Sequence, residues 1–212
     1  MWVDLGLPSG TKWAKTNVDV SQENGFAVSE LQYECSFFSW ANVDGHNPID
    51  DHSFGDWSFG SVYNGEPYIS SPGARVLSQS MMDLAHDAAY ISCGLPWRLP
   101  TRADAEELLN PVYTEFVDAN GQVIDPSLGS VITEIDGIAC CRIRSKVNGN
   151  IIVFACTGFG AGSSWQQRGT RLSFWTSTFD SISNAILCHI GDTVDTRTGD
   201  RHYGRVIRPV FK

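Results

Sequence analysis

The amino-acid sequence predicts an α+β fold, with two helices in the first half of the chain and an antiparallel sheet in the second. Helix-type patterns occur at residues 77–90 and after residue 101, whereas β-rich runs separated by polar turns follow residue 137. This segregation of helices from strands is typical of α+β proteins. With 212 residues, 42% of them hydrophobic, the chain can bury one sizeable core, and we expect a single domain over residues 1–212.

The elements of the first half are short and separated by loops. Residues 1–14 predict two short strands around a turn that contains Gly and Pro. Residues 37–73 are rich in Gly, Asp, Asn and Ser, which predicts a long irregular loop. A first helix is expected over residues 77–90, and Thr101 followed by Asp104 forms a capping-box signature that begins a second helix.

Five β-rich runs of the second half are predicted to form the sheet. Asn148-Gly149 lies between the first two runs, and this dipeptide is a strong signal for a β-hairpin. Pro209 has no N–H group to donate, so the last strand should lie at a sheet edge or end near that residue. The runs are residues 138–145, 150–157, 172–178, 185–190 and 205–211.

Composition and charge disfavour several classes of partner. The net charge is −9, yet ten of the 15 basic residues and only four of the 24 acidic residues follow residue 136, so the C-terminal third is not repelled by acidic partners. The basic residues are scattered and no stacking motif accompanies them, so we expect no nucleic-acid partner. No apolar run is long enough for a membrane helix, and the N-terminus lacks the pattern of a secretory signal.

No pattern of reactive side chains favours catalysis, a metal or a cofactor. Residues 44–56 are rich in Asp and His, but they lack the spacing and the closing Glu of a calcium loop, so ion binding there stays open. The six cysteines fit no metal-binding spacing, and we expect free thiols, although a bridge between Cys156 and Cys188 stays open. No nucleophile elbow or phosphate-binding loop occurs. We therefore expect no catalytic residue, no metal and no cofactor.

Five multi-residue blocks follow one another in order along the whole chain. They are WVDLGLPSGTKWA at residues 2–14, Asp87-Ala88-Ala89-Tyr90, PWRLPT at residues 96–101, Phe174-Trp175-Thr176-Ser177-Thr178 and GRVIRPV at residues 204–210. These blocks resemble the landmarks of the bacterial major paralogous domain family. The resemblance implies the C-type lectin-like fold of that family, with two helices, an antiparallel sheet and long irregular loops.

Two further blocks narrow the resemblance. Residues 38–46 and 162–169 are most similar to the variable proteins of diversity-generating retroelements from gut bacteria and their phages. Those retroelements replace template adenines, mostly in codons that end in a pyrimidine, so a diversified stretch should lack Lys, Glu, Gln, Met and Trp. None of the five occurs from residue 176 to residue 207, which makes 176–207 the expected variable region.

The resemblance implies a ligand-binding surface built from the free positions of this region and its flanks. Scaffold positions are Trp175, Ala185, Val194, Arg201, Gly204 and Arg208. The free positions are Leu187, His189, Thr193, Asp195, Arg197, Thr198, Asp200, His202 and Tyr203, and the flanks are Phe174, Phe179, Asp180, Ser181, Ile182 and Ser183. Expected strands at residues 185–190 and 193–196 would place their alternate side chains side by side on one face. Aromatic and Arg side chains among them are of the types that anchor interfaces.

The expected function is non-catalytic binding of a macromolecular target, which we expect to be a protein. One alternative is an enzyme that resembles the formylglycine-generating oxidases of the same fold, with Cys156 and Cys188 as the only candidate pair. Another is a non-diversified structural module of a bacterial surface appendage. The triplets that other members of the fold use for calcium-dependent sugar binding are absent. We expect the bacterial cell surface or a phage virion rather than the cytoplasm, while the ligand and the oligomeric state stay open.

Overall fold

The protein is mostly β, as the computed structural model describes it for residues 1–45, 84–161, 164–181 and 184–212, together with the backbone of residues 62–63 and 66–67. Strands account for 39% of the described residues and helices for 9%. The predicted α+β class is therefore wrong. The expected pair of helices is present, but both helices are too short to form a layer of their own.

Short antiparallel strands provide most of the regular structure. The strands are β1 (Trp2–Asp4), β2 (Lys12–Ala14), β3 (Val62–Tyr63), β4 (Glu66–Pro67), β5 (Thr114–Val117), β6 (Val123–Ile124), β7 (Ile132–Ile135), β8 (Ile138–Ser145), β9 (Ile151–Ala155), β10 (Phe159–Ala161), β11 (Ser164–Gln166), β12 (Leu172–Phe179), β13 (Asn184–Ile190), β14 (Val194–Asp200) and β15 (Val210–Phe211). One sheet has the order β1-β2-β15 and another the order β6-β5-β8-β7, with β9 also paired to β8. The order β12-β13-β14 defines the sheet that we call the terminal sheet.

Local capping groups keep the helices short. Helix α1 (Ala88–Cys93) begins where the Asp87 carboxylate accepts hydrogen bonds from the N–H groups of Ala89 and Tyr90, and it ends at Gly94. The helix expected over residues 77–90 therefore begins only at Ala88, after a 3₁₀ turn at Leu84–His86, while residues 77–83 lie outside the described part of the chain. Helix α2 (Arg102–Leu108) begins at the expected capping box, and that prediction is confirmed.

Several strands follow the sequence pattern and others do not. The first two strands and the β8–β9 hairpin are confirmed. The edge position expected from Pro209 is also confirmed, because β15 is the outer strand of its sheet. The run at residues 205–211 is otherwise limited to isolated bridges, as between Phe38 and Arg205. The sequence analysis missed β5, β6, β7, β10 and β11. Its expected strand at residues 193–196 covers only the first part of β14, whose later Asp and Gly residues are uncommon in strands.

The terminal sheet separates two clusters of buried side chains. In the main core, Phe174 stacks on Phe154 with ring centroids 5.7 Å apart, and Trp13 meets Phe174 edge-on. In the second cluster, Trp175 and Leu187 pack with residues that include Trp40. Both faces of β12 and β13 are therefore buried, which fixes the strands that carry the candidate site. None of the helices in the described ranges has the length and apolar character needed to cross a membrane.

Candidate functional site

Strand pairing places four of the expected binding residues on one face of the terminal sheet. His189 lies opposite Asp195, and Leu187 lies opposite Arg197, in the β13–β14 register. Residues directly opposite each other in an antiparallel pair project from the same face. In the β12–β13 register, Trp175 lies opposite Leu187 and so belongs to that face too. We call it the His189 face; the other side of the sheet packs on the main core.

The inner half of the His189 face is covered by a layer of rings around one guanidinium group. The guanidinium carbon of Arg205 lies 4.6 Å from the Trp175 ring centroid, 5.2 Å from that of Phe159 and 5.6 Å from that of Tyr203. Cation–π contacts of this kind are strongest where water is excluded. Leu187, 2% exposed, lies beneath this layer.

Gly199 allows that layer to approach the sheet. A Cβ atom at Gly199 would lie 2.4 Å from Cδ2 of Leu187 and 3.1 Å from Nη2 of Arg205. Any side chain at this position would therefore displace one or both groups. The absence of a side chain at Gly199 makes room for Leu187 and Arg205 to pack against β14.

The outer half of the face carries a charged network at the surface. Arg197 makes a bidentate ion pair with Asp195, with Nε and Nη2 each 2.7 Å from a carboxylate oxygen. Thr193 donates to the same carboxylate at 3.0 Å and accepts from Arg197. The side chains of Arg197 and Asp195 are 35% and 40% exposed. The hydrogen bonds from Arg197 lower the pKa of Asp195, so the pair is charged at neutral pH.

His189 joins this network through the turn between β13 and β14. Its Nε2 atom lies 2.7 Å from Oδ1 of Asp192, which is also 3.6 Å from Nη2 of Arg171. The imidazole is only 1% exposed, whereas Asp192 is 69% exposed. Burial lowers the pKa of His189, against the opposing effect of Asp192. The ring is therefore neutral at pH 7 and contacts solvent only through Asp192.

The turn after β14 brings further expected residues to the rim of the face. Tyr203 is partly exposed, its ring lies 5.6 Å from Phe159, and His202 meets it edge-on at 4.5 Å. His202 is 8% exposed, and burial lowers its pKa. Asp200 is partly exposed and lies opposite Asn184, at the far end of β14 from the Thr193 turn.

We call the surface residues of this face the outer patch: Asp192, Thr193, Asp195, Arg197 and Tyr203. Thr198 is exposed but projects from the other side of β14. Four residues that we expected at the binding surface are buried instead, so this part of the prediction is wrong. They are Phe174 in the main core, Leu187 and His189 on the His189 face, and His202 beside that face.

The remaining flanks lie at the opposite end of the sheet. Phe179 is partly buried and packs against Trp40, with ring centroids 6.4 Å apart. Asp180 is exposed, and Ser181 is partly exposed in the turn towards β13. Ile182 and Ser183 lie outside the described residues. Along a seven-residue strand this end is about 20 Å from the Thr193 turn, so these flanks do not adjoin Asp192, Thr193 and Asp195 of the outer patch.

Sequence reasoning missed three residues that organise the site. Asp192 follows a glycine in a hairpin turn, and this position could have indicated an exposed group. Arg205 and Arg208 interrupt a run that is otherwise apolar, which is a signal for buried or stacked cations. Arg171 carries no comparable signal, because its role depends on the long-range approach of Phe159 and Asp192.

The described part of the chain offers few reactive groups for the enzyme alternative. All six cysteines are free thiols. Burial raises the pKa of the Cys156 thiol to about 12 and raises that of Cys188 as well. No group of three or more His, Cys, Asp or Glu side chains in the described ranges could hold a metal ion. Of the acidic segment at residues 44–56, only residues 44 and 45 are described.

Comparison with known proteins gives no family. No family model, no curated protein and no solved structure matches this chain. The expected C-type lectin-like fold is thus corrected on two findings: the mostly β architecture and the lack of any matching structure of that fold.

Proposed function

We propose that this chain is a binding protein that recognises a protein partner through the outer patch. The proposal depends chiefly on one observation: polar side chains that are partly or fully exposed occupy the outward positions of β14, whose partner strand β13 is packed between two buried clusters. Thr193, Asp195 and Arg197 can be changed without reaching either cluster. Binding sites on rigid elements hold their geometry better than sites on loops.

The chemistry of the outer patch suits recognition of a protein. Tyr203 offers a ring already supported by Phe159, and Arg197 offers a guanidinium already fixed by Asp195. Aromatic and Arg side chains are the commonest anchors in protein interfaces, and pre-ordered ones lose less conformational entropy on binding. Charges of both signs on neighbouring positions would select partners through charge complementarity.

The expected diversification of residues 176–207 is part of the same proposal. Exposed ion pairs contribute about 0 to 1 kcal/mol to folding stability, so Asp195 and Arg197 can be replaced at little cost. The buried positions Leu187 and His189 would accept only replacements that fit their packing. Diversity would therefore concentrate at the outer patch and at other exposed positions such as Thr198.

The cysteine oxidase alternative is not proposed. Its two candidate thiols are buried, and their raised pKa values disfavour the thiolate that a reactive cysteine needs. No observation favours a catalytic step over binding.

Selection of binders from a display library tests the proposal. In the first library Thr193, Asp195, Arg197 and Tyr203 are randomised, and in a matched control library the buried residues Leu187, Cys188, His189 and Ile190 are randomised. Both libraries are selected for binding to a soluble test protein such as streptavidin. We expect folded binders from the first library and none from the second, with binding lost when the four wild-type residues are restored. Folded clones without binders in the first library would contradict the proposal.

A further inference from the structure

A groove of about 640 Å³ lies between the β5–β6 hairpin and the turn that joins β13 to β14. Apolar side chains of Leu109, Phe116, Ile124 and Val194 line it, and Val123 lines it with 59% of its surface exposed. Its volume falls in the range of sites that bind small molecules or one or two side chains of a peptide.

The apolar lining of the groove is continuous with the main core. Leu109, Ile124 and Val194 each pack against the core while remaining partly exposed. All three also line the groove. Apolar surface that stays open beside a packed core favours a partner that can cover it.

The charged part of the groove lining, which we call its mouth, is net acidic, because it has three carboxylates and one ammonium group. Asp125 and Asp192 come from its two opposite walls, and Glu115 and Lys146 complete the charged lining. Glu115 is already paired with Arg144 at 2.5 Å, and the Lys146 ammonium donates to the carbonyl of Pro111 at 2.7 Å.

The carboxylates of Asp125 and Asp192 are exposed and can interact with a cationic group of a partner. The carboxylate of Asp125 accepts hydrogen bonds from Ser127 in its own turn, which lower its pKa, and it makes no ion pair within the described ranges. Asp192 shares its charge with Arg171 at 3.6 Å but is 69% exposed. The mouth therefore favours a cationic group beside the apolar one.

The groove and the outer patch share the β13–β14 turn. Asp192 and Thr193 belong to the outer patch and also line the groove. A partner seated on the outer patch therefore reaches the groove without crossing any other surface.

We infer that the groove receives an extended segment of the protein partner, in which a large apolar side chain stands next to Lys or Arg. This inference rests on the proposed function, because it places the groove beside the same partner. The net charge of −9 attracts a basic partner at long range.

Titration with short peptides, followed by NMR of the methyl groups of Ile, Leu and Val, tests the inference on the full chain. The probe is an acetylated, amidated Gly-Lys-Phe-Lys-Gly peptide. One comparison peptide has Ser in place of Phe, and another has Glu in place of both Lys residues. We expect saturable shifts at Leu109, Ile124 and Val194, with a Kd at least about fivefold higher for both comparison peptides.

Matched variants locate the site. Val123→Ser and Asp125→Asn should each raise the Kd of the Lys-Phe-Lys peptide about three- to tenfold, through lost apolar and charge contacts respectively. Asn can keep the side-chain acceptor of that turn, so Asp125→Asn should leave the fold intact. Val147→Ser is the control, because Val147 is 61% exposed, close to the 59% of Val123, and does not line the groove.

The outcomes separate this inference from the proposed function. If no shift occurs at the groove, or if Val123→Ser and Asp125→Asn bind as the wild type does, the inference is overturned, whatever the library selection gives. If the shifts at the groove persist in Arg197→Ala, the groove binds the Lys-Phe-Lys peptide without help from the outer patch, which supports the inference. Failure of the library selection together with saturable groove shifts would overturn only the proposed role of the outer patch.

Discussion

At the scale of single residues, the site divides into buried and exposed members of one face. Alternation along a strand correctly groups Leu187 with His189, and Asp195 with Arg197. It does not reveal that the first pair is buried. For Leu187 that burial arises because the chain after Asp200 folds back over the sheet, held by the bridges of Arg205 to Phe38 and of Gly204 to Gly160. Such contacts join residues far apart in sequence, and no local pattern encodes them.

His189 should make the stability of the fold depend on pH near neutrality. Burial lowers its pKa below the ordinary value of 6.5, so the unfolded chain binds a proton at higher pH than the folded chain. Stability should therefore fall as the pH decreases from about 7 through the unfolded pKa, and it should level off below the folded pKa. Urea unfolding at several pH values measures this dependence.

Variants at His189 and His202 show how much each buried histidine contributes to the pH dependence of stability. His189→Gln should reduce the slope of unfolding free energy against pH, and His202→Gln should reduce it separately, since burial also lowers the pKa of His202. An unchanged slope in His189→Gln would show that the imidazole is not held neutral by burial. The exposed Arg168 offers a background variant, Arg168→Gln, in which the slope should not change.

At the scale of elements, the sequence was most informative where a local rule decides the structure. The capping box at Thr101 begins α2, and Asn148-Gly149 lies in the turn between β8 and β9. It was least informative for β14, where Asp, Thr, Arg and Gly form a strand because β13 supplies a full set of partners along one edge. The propensity of those residues alone is too weak to predict the strand.

The capping box of α2 should make a measurable contribution to stability. The hydroxyl of Thr101 accepts from the N–H of Asp104, and the Asp104 carboxylate accepts from the N–H of Thr101. Thr101→Ala should lower the free energy of unfolding by about 1 kcal/mol, the usual cost of losing such a cap. Chemical denaturation measures the loss. Thr170→Ala, at an exposed turn residue, is the matched control and should change stability by less.

A second variant at the same cap adds a pH signature. Burial tends to raise the pKa of Asp104, but the hydrogen bonds from Arg98 and Thr101 outweigh it and lower the pKa from 3.8 to about 2. The stability that this carboxylate contributes is fully present above about pH 3.8, and it is lost as the pH falls towards the folded-state pKa of about 2. In Asp104→Asn that part of the acid dependence should disappear. If Thr101→Ala and Asp104→Asn both unfold like the wild type, the cap does not stabilise α2.

At the scale of the whole molecule, the fold class was wrong because helix-type segments yield only two short helices in the described part of the chain. Asp87 and Gly94 limit the first, and the second ends at Leu108. Between and after them, strands too short to give a clear alternation are assembled into sheets by long-range pairing. The scaffold position Trp175, by contrast, is fully buried, as its expected role in the frame requires.

The central claim is that a stiff frame carries an outer patch whose side chains can be replaced. Thermal unfolding of two variants tests it most directly: the triple variant Thr193→Ser, Asp195→Asn and Arg197→Gln, and the single variant Leu187→Ala. Changes in an exposed network should cost about 1 kcal/mol or less, whereas emptying the Leu187 site should cost about 2 to 5 kcal/mol.

For a chain of this size, each 1 kcal/mol lowers Tm by about 2 to 4 °C. We therefore expect the triple variant to unfold within about 4 °C of the wild type and Leu187→Ala to unfold several degrees lower still. A triple variant that loses as much stability as Leu187→Ala would contradict the account, because its outward side chains would then be part of what holds the fold together.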